Sequence, residues 1–180
     1  MNSSLPTIEE LQKLPIRAVA AYAARIARRL SPALRGIVAD AILDDVLRLL
    51  DTVLTTDSLA EVARAPLANS LVPLTDAYAA APANTKSPEN FLVVFCMIHA
   101  ALAAMHAIEA AVDPASADHE MKGAAKEAQR ATRTIGTLDN TAARAAAQAA
   151  RQDYEVLLRV YGEHDEAVVG EPVDCFEKPS

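Results

Sequence analysis

The chain has 180 residues, of which 52% are hydrophobic, 4% are aromatic and five are glycine, and its formal net charge is −7. Alanine, the strongest helix former, occupies 39 positions, so an all-α protein is expected. The composition excludes a disulfide scaffold, a collagen-like repeat, a β-sandwich and a fully disordered chain. Because an acidic chain repels phosphate backbones, nucleic acid is not expected as a partner.

Cysteine usage and the first residues bear on the compartment. Cys96 and Cys175 lie far apart and show no oxidative framework, which favours a reducing environment. Residues 1–10 lack the basic start and the apolar run of a signal peptide. We therefore expect a cytoplasmic protein.

The first helices carry clear start signals and a group of arginines. Thr7 and Glu10 have capping-box spacing, and Pro15 suits the first turn of a helix over residues 16–30. Four basic side chains fall within about 120° on one face of that helix: Arg17, Arg25, Arg28 and Arg29. This pattern indicates either an ordinary solvated face or a docking stripe for an acidic partner. The four arginines are the predicted partner-binding residues.

Three Ser-Pro or Asp-Pro pairs predict further helix starts, because each combines a capping side chain with a proline in the first turn. They are Ser31-Pro32, Ser87-Pro88 and Asp113-Pro114. The first pair predicts a helix over residues 32–54. Its wide apolar arc favours contact with more than one neighbouring helix, as in a bundle.

Residues 91–112 form the most apolar segment of the chain. About 20 apolar residues suffice to cross a bilayer, so the length alone permits a membrane span. His99, His106 and Glu109 interrupt the segment, and no aromatic belt flanks it. We therefore predict the central buried helix of a bundle and no membrane partner.

The same segment carries the residues that most resemble a metal site. Cys96, His99, His106, Glu109 and Asp113 fall within about 140° on a helical wheel, and all have ligating side chains. The order His106-x-x-Glu109 reverses the Glu-x-x-His signature of di-iron bundles, however. His99 and His106 also lie about 10 Å apart along the helix axis, too far to share one ion easily. We expect no metal and no other cofactor.

The C-terminal end divides into a helix and a tail. Residues 142–161 predict the last helix, and residues 163–180 carry six acidic side chains against Lys178 alone. We predict one helical-bundle domain of about six helices over residues 1–162, followed by an irregular acidic tail. Two modes of attachment remain open for the tail: charge attraction to the arginine face, or burial of Val169, Val173 and Phe176.

Two alanine- and arginine-rich stretches carry a resemblance to known proteins. They read LPIRAVAAYAARIARR over residues 14–29 and AARAAAQAARQDY over residues 142–154. They resemble a group of bacterial Ala/Arg-rich helical proteins, some of which are described as toxin-immunity-like. The resemblance implies a protein partner, such as a toxin or effector, and fixes no site residue.

Two functions follow from the sequence. The first is a non-enzymatic helical protein, immunity-like or regulatory, that binds a protein partner. The alternative is a helical-bundle enzyme that binds a metal or small molecule through His99, His106 and Glu109. No nucleotide-binding loop, nucleophile elbow or zinc-protease motif supports a common enzyme class. A homo-oligomer also remains open.

Overall fold

A computed structural model of the chain describes residues 5–136 and 141–173, and every regular element in these ranges is helical. Seven α-helices are described there: α1 (Ile8–Leu11), α2 (Ile16–Leu30), α3 (Asp40–Thr55), α4 (Ala65–Ala80), α5 (Pro88–Val112), α6 (Ala117–Gly136) and α7 (Thr141–Tyr161). Short 3₁₀ turns connect several of them. The all-α prediction is confirmed.

Three of the predicted helix starts are confirmed in atomic detail. The Glu10 amide donates to the Thr7 hydroxyl, and the Thr7 amide donates to the Glu10 carboxylate at 2.8 Å, which completes the capping box of α1. The Ser87 hydroxyl caps α5, with Pro88 in its first turn. The Asp113 carboxylate caps the 3₁₀ turn Pro114–Ser116, and α6 begins directly after it.

The helix start predicted at Ser31-Pro32 is wrong. Residues Ser31–Leu34 form a single 3₁₀ turn, and α3 begins only at Asp40. The Ser31 hydroxyl donates back to the Arg28 carbonyl at 2.9 Å, so it closes α2 instead of capping a new helix. Gly36 then adopts a φ of +80°, a left-handed conformation that glycine tolerates, and the chain turns before α3.

The most enclosed helix is α2, not α5. All residues from 16 to 27 are buried, and α2 contacts α3, α5, α6 and α7. Its many alanines let neighbouring helix axes approach closely on several sides. The prediction that residues 91–112 form a buried helix of the bundle holds for most of α5, which packs on α2, α3, α4 and α6, while Phe91, Phe95 and Val112 are exposed.

Within the described ranges, α5 is the one helix that is long and apolar enough to cross a membrane by length and composition. The most apolar 18-residue stretch of α5 is 67% buried inside the protein. Core helices of soluble proteins share this composition when they pack against other helices. The apolar run of α5 is therefore largely explained by contacts within the chain.

The segment after α7 returns to the start of α2 and is held there by its main chain. Four backbone hydrogen bonds attach it: His164 N to Lys13 O, Ile16 N to Val168 O, Arg17 N to Val169 O, and Val173 N to Leu54 O, at 2.8–3.0 Å. The first amides of a helix lack intrahelical partners. In α2, the amides of Ile16 and Arg17 are satisfied by the carbonyls of Val168 and Val169. We call residues 163–173 the C-terminal strap.

Apolar burial adds to this attachment, because Val173 is 1% exposed. The strap also carries an exposed ion pair, Lys13 to Glu163 at 3.5 Å, whose contribution in water is small. Two modes of attachment were predicted for the tail, charge attraction to the arginine face and burial of apolar side chains. For residues 163–173, burial and backbone hydrogen bonds account for the attachment better than charge attraction does. Phe176 and Cys175 lie outside the described residues.

Candidate binding groove between helices α5 and α6

The predicted arginine stripe is not a solvent-exposed face. Arg17 is 2% exposed and donates to the Thr56 carbonyl at 2.9 Å. Arg25 is also buried, and both Arg25 and Arg29 form ion pairs with Asp153 of α7. Arg28 is exposed. Because two of the four arginines are interior groups, they cannot form one docking surface with Arg28 and Arg29.

Arg17 is a buried charge that is stabilised by nearby carboxylates of its own chain. Burial lowers the pKa of its guanidinium, whereas the nearby charges of Glu171 and Asp57 act in the opposite direction. Arg17 and Glu171 line a cavity of about 400 Å³ with Val169 and Gly170 of the strap. This arginine therefore lies under the strap instead of facing a partner.

The structure separates His99 from the other two side chains predicted for the alternative metal or ligand site: His106 and Glu109 line one cavity of about 300 Å³ with Glu120, whereas His99 lines another. His99 Nδ1 lies 2.5 Å from a Glu127 carboxylate oxygen, and His106 Nδ1 lies 2.6 Å from Glu120. Glu109 instead pairs with Arg64 on the loop before α4, at 2.5 Å. In the part of the chain that the structure describes, no three His, Cys, Asp or Glu side chains come together to hold a metal ion.

Sequence reasoning missed the two glutamates of α6. The signal was present in the spacing, because Glu120 and Glu127 are seven residues apart, as are His99 and His106. Two adjacent antiparallel helices bring such equally spaced pairs opposite each other. Only the pairing of α5 with α6 shows that the two spacings match.

A glycine makes room for one of these pairs. A Cβ atom at Gly123 of α6 would lie 2.4 Å from His106 Cε1, closer than carbon atoms can approach. The absence of a side chain at this position lets the imidazole reach Glu120 across the helix interface. The His106 imidazole therefore occupies the space that a side chain at position 123 would fill.

Near the start of α5 and the end of α6 lies an open groove of about 430 Å³. It is lined by Leu92, Phe95, His99, Arg130, Arg133 and Thr134. Phe91 lies one turn from Phe95, and the two rings are 51% and 42% exposed. Pockets of this volume with mostly apolar walls and a few polar groups are typical ligand sites.

The polar wall of the groove contains an unusual histidine. His99 is buried, and its Nε2 atom is closed to solvent with no hydrogen-bond partner among the described residues. Its other ring nitrogen faces Glu127, whose second oxygen accepts from Arg130 at 2.8 Å. The Phe95 ring stands edge-on to the imidazole, with 4.5 Å between ring centroids. A buried polar atom without a partner is rare in native proteins.

A basic ridge adjoins this groove. Lys122, Lys126, Arg130 and Arg133 are all exposed on α6 and fall within about 80° of one another on the helix. We call these four residues the α6 basic ridge. In a chain with a net charge of −7, they concentrate positive charge on one side of the apolar groove.

Among the described residues, neither His99 nor Cys96 is arranged for nucleophilic chemistry. His99 Nε2 activates no hydroxyl or thiol in the described ranges, because it bonds to none. Cys96 is fully buried, and burial raises the pKa of its thiol to about 12, so it stays protonated near neutral pH. A histidine–carboxylate pair without a nucleophile is not a nucleophilic site.

Comparisons of this chain with protein-family models, with curated proteins and with solved structures find no match. The resemblance to bacterial Ala/Arg-rich helical proteins therefore stays a prediction.

Proposed function

We propose that this chain is a non-enzymatic helical-bundle protein that binds a protein partner through the groove between α5 and α6. The observation that carries the proposal is the exposure of Phe91 and Phe95 beside the α6 basic ridge. These are two of only three phenylalanines in the chain. Exposed aromatic side chains next to arginines are typical of the residues that dominate protein–protein binding energy.

Charge complementarity defines the kind of partner. The ridge carries four basic side chains, of which Arg130 is paired with Glu127, whereas the chain as a whole is acidic. A second copy of this acidic chain would be repelled overall, so a different protein with an acidic, apolar-anchored segment is the better match. An immunity-like or regulatory role against a toxin or effector stays a prediction within this proposal.

A photo-crosslinking experiment tests the docking face in living cells. p-Benzoyl-phenylalanine replaces Phe91 in one variant and Val160, which is 64% exposed on α7, in a matched control. We expect one protein to cross-link from position 91 and not from position 160. A product containing a second copy of this chain, or equal products from both positions, contradicts the proposal.

Capture alone does not establish the surface, so the cross-linked protein is then purified and its affinity measured. Arg133→Glu should weaken binding about 3- to 10-fold and reduce its salt dependence, because ridge charges attract the partner. Arg159→Glu, on the exposed side of α7, is the matched charge reversal and should change affinity less than about twofold. Equal effects of the two reversals would show that only net charge matters.

A further inference from the structure

We propose that the partner anchors itself in the groove with an aromatic side chain that carries a hydrogen-bond donor, a tryptophan or a tyrosine, and that His99 Nε2 accepts this hydrogen bond. The inference rests on the proposed function, because it takes the α5–α6 groove as the docking site. It adds the chemical identity of the anchor.

The contacts of His99 decide which role its free nitrogen plays. Nδ1 lies 2.5 Å from Glu127, and a carboxylate can only accept, so Nδ1 carries the proton. In a neutral imidazole with its proton on Nδ1, Nε2 presents a lone pair. Glu127 is itself held by Arg130, which keeps this arrangement in place. While the imidazole is neutral, the unpartnered nitrogen is therefore an acceptor, and its ligand must bring an N–H or O–H group.

The walls of the groove favour an aromatic side chain as the group that brings this donor. Leu92 and Phe95 supply apolar and aromatic wall, and the groove volume of about 430 Å³ exceeds that of a side-chain ring. Tryptophan and tyrosine combine a large apolar body with one polar hydrogen, and a buried one usually finds a hydrogen-bond partner. An aliphatic anchor would fill the same space but leave Nε2 without a partner.

The Phe95 ring packs against the imidazole of His99 in the free protein. The ring stands edge-on to His99, and Nε2 is closed to solvent, yet Phe95 is itself 42% exposed. Exposed side chains change rotamer in nanoseconds, so the ring can turn aside when a partner arrives. The free protein leaves the acceptor unsatisfied, and the donor of the partner satisfies it.

Acidic residues beside the anchor complete the recognition. Arg133 lines the groove, is exposed and makes no ion pair or hydrogen bond within the described ranges. A carboxylate next to the aromatic anchor would meet this guanidinium, for which planar two-point contact is favourable. The recognised segment is thus an acidic stretch with one donor-bearing aromatic residue.

Two small probes isolate the hydrogen bond. Indole carries the N–H group of a tryptophan side chain, and 1-methylindole has the same ring system without it. NMR titration of the full chain should place both in the groove by shifts at Leu92 and Thr134, with indole binding about fivefold more tightly, as expected for one net hydrogen bond. The Nε2 resonance of His99 should move with indole only.

Two variants of His99 provide the control. In His99→Asn the amide still reaches Glu127 but no group replaces Nε2, so the two probes should bind within about twofold of each other. In His99→Gln an amide oxygen near the Nε2 position should restore part of the preference. Because the probe comparison is also made on the wild-type chain, the proposal is testable even if a variant does not fold.

The outcomes separate this inference from the proposed function. Equal affinity for both probes in the wild-type chain overturns the hydrogen-bonded anchor but leaves the docking groove untouched. If neither probe shifts groove resonances up to its solubility limit, the anchor pocket itself is overturned. The proposed function is tested separately, by the cross-link from position 91.

Discussion

Asp153 on α7 accepts hydrogen bonds from both terminal nitrogens of Arg29 on α2, one for each carboxylate oxygen. The same buried carboxylate lies 3.5 Å from Arg25 Nη1. One acidic side chain thus joins two of the arginines that the sequence had placed on an open face. Arg25 and Arg29 are therefore engaged with α7 instead of forming an unpaired positive face.

Asp153 is therefore expected to be a stabilising residue. Asp153→Asn would leave two guanidinium groups without their carboxylate, one of them buried, and should lower the free energy of unfolding by about 3 kcal/mol. Urea denaturation measures this change. Asp45→Asn, which breaks the exposed pair with Arg48, is the control and should cost less than about 1 kcal/mol. Similar losses in both variants would show that the Asp153 contact is not special.

The C-terminal strap is expected to be part of the stable structure. Truncation after Gly162 removes four backbone hydrogen bonds and the buried Val173, and should lower the free energy of unfolding by about 3–5 kcal/mol. Thermal unfolding followed by circular dichroism measures the loss. Val173→Ala alone should account for about 1.5 kcal/mol. A truncated chain with an unchanged midpoint would mean that the strap is dispensable, as attachment by surface charge implies.

Gly123 should tolerate a side chain only when His106 is shortened. Gly123→Ala places a Cβ within 2.4 Å of the imidazole and should destabilise the protein by about 1–3 kcal/mol, although alanine is the better helix former. In the double variant with His106→Ala the clash is absent, so alanine at position 123 should then be neutral or stabilising. Chemical denaturation of the four proteins gives the coupling energy. Additive effects would contradict the close packing.

Because the pKa of Glu10 is lowered in the folded protein, we expect the protein to lose stability in acid. Desolvation raises the pKa of this carboxyl, but the Thr7 amide and Arg151 outweigh it, so the pKa in the folded protein is below its usual value. A lowered pKa contributes stability above the unfolded value near 4.5, and this contribution disappears as the pH falls through the folded pKa.

The variant Glu10→Gln isolates this contribution. It should be less stable than wild type at pH 7, by about 1 kcal/mol, and the difference should shrink toward zero as the pH falls below 4.5 and through the lowered folded pKa. Unfolding midpoints across that pH range measure it. A constant difference would assign the effect of Glu10 to packing and not to its charge.

Cys96 should be inert in the folded protein. Its thiol is fully buried, and burial raises its pKa to about 12, so the reactive thiolate is scarce at pH 8. In a Cys175→Ser background, reaction with Ellman's reagent should be at least about 100-fold slower in buffer than in denaturant. Fast labelling under native conditions would show that α5 opens readily.

Local sequence signals were sufficient to predict most helix starts. The Thr7 and Glu10 box, the Ser87 cap and the Asp113 cap depend on atoms within three residues of each other, so the pattern alone identifies them. Ser31 shows the limit of such signals. Its hydroxyl had a second local partner, the Arg28 carbonyl, and the sequence could not decide between the two.

The fate of charged residues depended on distant parts of the chain. Arg29 and Asp153 are 124 positions apart, and His99 and Glu127 are 28 apart, so no helical wheel brings them together. The sequence found the two histidines but not their partners, and it grouped on one face four arginines of which two are buried. Those assignments required knowing which helices are neighbours.

Composition and local hydrogen bonding made this chain helical, because an alanine-rich sequence with well-marked caps has few other ways to satisfy its backbone. Tertiary packing decided which faces meet water. Desolvating a charge is costly unless a partner is supplied, and α7 supplies Asp153 to α2 while no such partner reaches Arg133 in the described ranges. The candidate groove and its basic ridge are what remains at the surface once those interior contacts are made.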